Sequence, residues 1–95
     1  MIVRFNIDPA GQGQYDYRVT YEGEDLYADA GLHSLEACIV AATEGLGSDA
    51  VGAEIAYQGV ISGTYALASL ALVSEQIAAH AMQTTEAIFE ASAGR

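Results

Sequence analysis

Ninety-five residues, 52% hydrophobic and 17% charged, suit one folded domain spanning residues 1–95 and exclude an intrinsically disordered chain. Thirteen acids stand against three arginines (Arg4, Arg18 and Arg95) and no lysine, a formal charge of -10. That balance argues against direct binding to nucleic-acid phosphates or to an anionic membrane surface, and favours a positively charged partner drawn in from a distance.

In chain order, IVRFNID alternates as a strand, with Val3, Phe5 and Ile7 on one face and Arg4, Asn6 and Asp8 on the other. PAGQG (9–13) is turn chemistry. YDYRVTY follows as the clearest strand, placing Tyr15, Tyr17, Val19 and Tyr21 inward and Asp16, Arg18 and Thr20 outward. Glu22-Gly23 reads as a two-residue hairpin turn. That turn aligns Val19 with Leu26, Tyr17 with Ala28 and Arg18 with Tyr27, and sets Asp16 opposite Asp29. The other turn position, Gly23-Glu24, would oppose Glu22 to Asp25 and is disfavoured by like charge.

Ser34 is the expected N-cap of a helix with Glu36 in its first turn, and Leu35, Cys38, Ile39 and Ala42 at helical spacing. Gly45 is expected to close it as a left-handed C′ residue, with Leu46 folding back. VGAEIAY (51–57) alternates as a further strand. The uncharged stretch IAYQGVISGTYALASLALVS between Glu54 and Glu75 approaches the length of a membrane span. Gln58, Gly59, Ser62, Gly63 and Thr64 interrupt it and no cation flanks it. It reads as a strand end, a turn and a helix start.

A long helix is predicted from Thr64 or Tyr65 to Ala91, about 40 Å at 1.5 Å per residue. It is longer than strands of six or seven residues, so part of it is expected to overhang. Leu67, Leu70, Val73, Ile77, Ala78, Ala81, Met82, Ile88 and Phe89 fall on one half of its wheel. Leu72 falls among the polar positions. Small residues including Ala79 would admit a close second helix, which predicts a homodimer with Leu72 and Ala79 at its interface. No internal repeat or linker is visible. The β-β-β-α-β-α order predicts an α+β fold, a small antiparallel sheet with two helices packed on one face.

The single cysteine and an N-terminus without a signal-peptide apolar run point to the cytoplasm. His33 and Cys38 are poorly spaced for a Cys–His nucleophile, and Cys38 lies on the inferred apolar face. His33 and His80 with a carboxylate would make a metal site only if the fold brought them together. The absence of lysine removes Schiff-base chemistry, and no phosphate-binding or nucleophile-elbow motif is present. No cofactor is implied, and a small metal-dependent enzyme or binder is the remoter alternative.

What stands out is YEGEDLYAD (21–29). It lacks the ligand spacing of a calcium loop. In the expected register, Asp16, Glu22, Glu24, Asp25 and Asp29 form an acidic outer face with Tyr27 among them, relieved by Arg18. Such a face would dock a basic protein partner, with tyrosine as an interface residue. In size and composition the chain is similar to small phage-encoded inhibitors, including anti-CRISPR proteins and DNA mimics. The expected function is therefore a non-enzymatic inhibitor occupying a basic, nucleic-acid-binding surface of its partner. The alternative is a structural homo-oligomer assembled through the Ala-rich helix.

Overall fold

The computed structural model describes residues 1–93. The elements are β1 (Ile2–Pro9), β2 (Tyr15–Tyr21), β3 (Glu24–Leu32), α1 (Leu35–Glu44), β4 (Gly52–Tyr57), β5 (Val60–Ala66), α2 (Leu67–Leu72) and α3 (Ser74–Ala93). The five strands form one sheet in the order β3-β2-β1-β4-β5. The α+β architecture matches the expectation from sequence. The sheet is mixed, however: β1 and β4 pair in parallel at its centre, and each is extended outward by an antiparallel neighbour.

One core fills the space between sheet and helices. Val3, Phe5 and Ile7 of β1, Tyr17 and Val19 of β2, and Ala53, Ile55 and Tyr57 of β4 meet Leu35, Cys38, Ile39 and Ala42 of α1, Leu70 of α2, and Ile77, Ala78 and Ala81 of α3. The alternation in β1, β2 and β4 thus places the apolar set on the covered face, as period-two burial requires. α1 packs over β1, β2 and β3, and α3 over β4 and β5.

Ser34 is the N-cap of α1, its hydroxyl accepting the Ala37 N–H at 3.0 Å. The C-terminus differs from expectation. Gly45 keeps a right-handed conformation, φ -84°, so it serves no left-handed cap. A Cβ at this position would lie 2.8 Å from Cε2 of Tyr27. Glycine gives clearance here for an aromatic ring of β3 that leans on the end of the helix. Leu46 does pack against the core, and its N–H bonds the Thr43 carbonyl at 3.1 Å.

Strand β5 was not legible in the sequence. Gln58 and Gly59 both have positive φ, 51° and 79°, and form a two-residue turn whose twist suits a hairpin. Beyond it the register slips between Ala56↔Ile61 and Ile55↔Gly63, leaving Ser62 as an extra residue. The residues paired with core positions are therefore Val60, Gly63 and Tyr65, a spacing that defeats a test for strict alternation.

The expected single long helix is two. Val73 leaves helical geometry at φ -126°, ψ 34°. The Val73 N–H still reaches the Ser69 carbonyl at 2.9 Å and its carbonyl receives the Ile77 N–H at 3.0 Å, while the Ser74, Glu75 and Gln76 N–H groups make no bond to the carbonyls four residues back. Val and Ser are also only moderate helix formers. The expected overhang is present at the far end, where α3 runs on past Thr85 with every described side chain from Glu86 to Ser92 exposed. No described helix is long and apolar enough to cross a membrane.

Candidate functional site

The acidic β2–β3 hairpin is built by the turn the sequence indicates. Glu22 and Gly23 have φ 51° and 84°, and Tyr21↔Glu24 and Thr20↔Asp25 pair as expected. One residue later the register departs. Val19 pairs with Tyr27, not Leu26, and Tyr17 with Asp29, not Ala28. Leu26 is the bulged residue and is 44% exposed.

The slip exchanges Leu26 for Tyr27 on the core side. The Tyr27 ring meets Tyr17 edge-on at 6.4 Å and 85°, and its hydroxyl donates to the Ala42 carbonyl of α1. A buried aromatic contributes more apolar area than Leu, and here its polar tip is satisfied. Burial, with a smaller effect from Tyr17, pushes the Tyr27 phenol up to about 12. Tyr27 is thus a strut between sheet and α1 and does not stand among the outward acids as the sequence suggested.

The acids are distributed accordingly. Glu22, Glu24 and Asp25 are exposed at the hairpin tip. Asp25 projects from the uncovered face and pairs with Arg18 at 3.2 Å. Asp29 shares the side of its partner Tyr17, since cross-strand partners face the same way. It is exposed at the rim of the helix-covered side, and its Oδ1 accepts the Ala30 N–H at 2.8 Å. Asp16 is half-buried, accepts the Gly31 N–H at 3.2 Å, and lies across from Asp8 of β1, not Asp29. The structure therefore brings Glu22, Glu24 and Asp25 together and separates Asp16 and Asp29 from them.

The uncovered face is a polar ladder and not a uniform acidic field. Asn6 donates from Nδ2 to Thr20 Oγ1 and to the Arg18 carbonyl, both at 3.1 Å. Arg4 Nε holds Glu54 Oε1 at 2.6 Å. Between this pair and the hairpin tip lies an open cavity of ≈ 290 Å³, lined by Ile2, Arg4, Thr20, Tyr21, Glu22 and Glu54 among others. Glu54 lines the same cavity as Glu22 through the parallel β1–β4 pairing, which had no local signal in the sequence.

The chemical candidates are scattered. Cys38 is fully buried, and burial, then Asp16 and Asp29, push its thiol up to about 11, so it remains an unreactive thiol. His33 is exposed ahead of α1, and His80 is exposed on α3 with Nε2 3.5 Å from Thr84 Oγ1. Among the described residues no three His, Cys, Asp or Glu side chains are grouped to hold a metal ion. Leu72 is 83% exposed at the end of α2, and Ala79 is exposed on α3. Arg95 lies outside the described residues.

No protein-family model, no curated protein and no solved structure is significantly similar to this chain.

Proposed function

We propose that the chain is a non-enzymatic acidic module of the cytoplasm that binds a basic protein surface. In its most concrete form it is an inhibitor, anti-CRISPR-like or DNA-mimic-like in character, that occupies the nucleic-acid-binding surface of its partner. The observation that carries this reading is the β2–β3 tip, which presents Glu22, Glu24 and Asp25 together in solvent. The adjoining cavity is bounded on its other side by the Arg4–Glu54 ion pair, which adds no net charge. The net charge of -10 supplies long-range attraction, and the tip supplies the short-range contact that excludes the natural ligand. Asp16 and Asp29 add to the field, while Tyr27 holds the strand that carries the acids.

Reversing Glu24→Lys together with Asp25→Lys leaves folding intact, because both side chains are exposed. Capture from lysate at low and at high salt is expected to show a basic partner retained at low salt, weakened by salt, and lost from the double variant. Affinity unchanged by the double reversal would remove the acidic tip from the explanation.

A second reading, a structural homo-oligomer, is favoured by Leu72 at 83% exposure and by Ile88 and Phe89 at 49% and 46% on the overhanging end of α3. These exposed apolar side chains lie at opposite ends of the helical layer, and burying them would favour association.

A further inference from the structure

We infer that two copies of this chain pair edge to edge through β5 about a two-fold axis, so that the overhanging end of α3 of each copy rests on α2 of the other. It rests on the homo-oligomer reading, which it deepens, and uses residues other than the acidic tip. The sheet has two free edges, and they differ. The β3 edge carries Glu24, Asp25 and Asp29 and is interrupted by two register shifts. Charges of that kind protect an edge from further pairing, and they, not the bulges, distinguish the two edges, since β5 is itself bulged at Ser62. The β5 edge reads VISGTYA, without a charge, and leaves Ile61 and Thr64 exposed. Its outward backbone groups form a template for another strand.

The occupant follows from charge. A basic partner is attracted to the acidic side of the molecule. A second copy of a chain carrying -10 is repelled as a whole, and the repulsion is weakest at close range along β5, which carries no charge. A strand pairing antiparallel with itself also satisfies the two-fold symmetry of an isologous dimer.

The helix layer fits the same operation. Within the sheet α3 contacts only β4 and β5. Strands about 4.8 Å apart would then set the two α3 helices about two strand spacings, roughly 10 Å, from each other, the distance at which helices pack. The exposed residues Ala79, Ala87 and Ala91 of α3 permit that approach.

Direction completes the argument. α2 starts at one end of β4, where the Leu67 N–H bonds the Val51 carbonyl at 3.0 Å. α3 leaves the sheet at the other end, where Thr85 Oγ1 donates to the Tyr57 carbonyl at 3.2 Å. A two-fold reverses these ends, so Ile88 and Phe89 of one copy stand level with Leu72 of the second copy. Strand pairing alone covers little side-chain area. The helix contacts are therefore needed to approach the roughly 1,000 Å² that a specific interface requires.

Sedimentation equilibrium of the full chain over a concentration series tests this. A monomer–dimer equilibrium is expected, with the dimer favoured as salt rises, because salt screens the mutual repulsion. Thr64→Glu, at an exposed position of β5, is expected to raise the dimer dissociation constant more than about tenfold by opposing like charges across the axis. Leu72→Glu is expected to raise it as well, while Leu26→Glu on β3 leaves it unchanged. Circular dichroism verifies the fold of each variant, and hydrogen exchange on the wild type is expected to protect β5 amides as dimer forms. Monomer at every concentration and salt overturns the proposal. So does a dimer indifferent to Thr64→Glu, including one sensitive to Leu72→Glu alone.

Discussion

The two hairpins of this protein have nearly the same backbone and opposite surfaces. Each turns on two residues of positive φ, Glu22-Gly23 at 51° and 84° and Gln58-Gly59 at 51° and 79°. Each has a tyrosine just before the turn, and each slips its register at the third residue after it, Leu26 in one and Ser62 in the other. The correspondence Tyr-Glu-Gly against Tyr-Gln-Gly is too short to register as a repeat in the sequence. The turn and bulge set the twist of both edges of the sheet. What each edge meets is set by the side chains: acids around Glu24 on one side, an uncharged strand on the other. Backbone geometry and surface chemistry are separate choices here.

The largest perturbation should fall on the β4–β5 side. A Cβ at Gly52 would stand 2.4 Å from the Tyr65 carbonyl oxygen, and backbone has little freedom to retreat. Gly52→Ala is expected to destabilise by about 3 kcal/mol, lowering the melting temperature by roughly 15 °C in calorimetry. On the β2–β3 side the equivalent pressure point is Gly45, where the obstacle is the Tyr27 ring. That ring has some room to shift, so the cost of Gly45→Ala is expected to be smaller, about 2 kcal/mol.

The turns themselves offer a symmetric test. Gly23→Ala and Gly59→Ala each force an L residue into left-handed backbone, at an expected cost of about 1–2 kcal/mol. Urea denaturation should give two values equal within about 0.5 kcal/mol if the hairpins are equivalent in backbone. A larger difference would mean that tertiary contacts, and not the turn, dominate one of them.

Smaller still is the effect of Tyr27→Phe, about 1 kcal/mol at neutral pH for the lost hydrogen bond to the Ala42 carbonyl. Its pH dependence has a definite sign. The Tyr27 phenol is raised in the fold from 10.0 to about 12, so its contribution is complete below pH 10 and is lost as pH rises through 12. Stability of the wild type should therefore fall across that window. The gap to Tyr27→Phe should narrow, and a constant gap would show that the phenol is not held neutral by the fold.

Much of the fold was readable from local pattern. Strict alternation revealed β1, β2 and β4, since each has one face on the core. Ser34 announced the start of α1, and Glu22-Gly23 the first hairpin. The acids at the tip were visible because a turn of known length fixes its two flanking pairs. What failed lay beyond a bulge. Between Leu26 and the second register shift past Asp29 the faces of β3 are exchanged, so Tyr27 moved to the core side and Asp29 with it, away from Asp16. After Ser62 the alternation of β5 disappears, which hid the strand. The break at Val73 was invisible because the apolar spacing Leu67, Leu70, Val73, Ile77 continues through it.

The sequence by itself determined the polarity of the chain, its turn positions, the apolar faces of three strands and the acidic tip. These depend on neighbours within a few residues and on net charge. Only the tertiary structure decided the parallel pairing of β1 with β4, the use of Gly45 as clearance for Tyr27, the approach of Glu54 to the hairpin tip, and the uncharged edge at β5. Each depends on packing between segments remote in sequence, where one inserted residue changes which side of the sheet a side chain occupies.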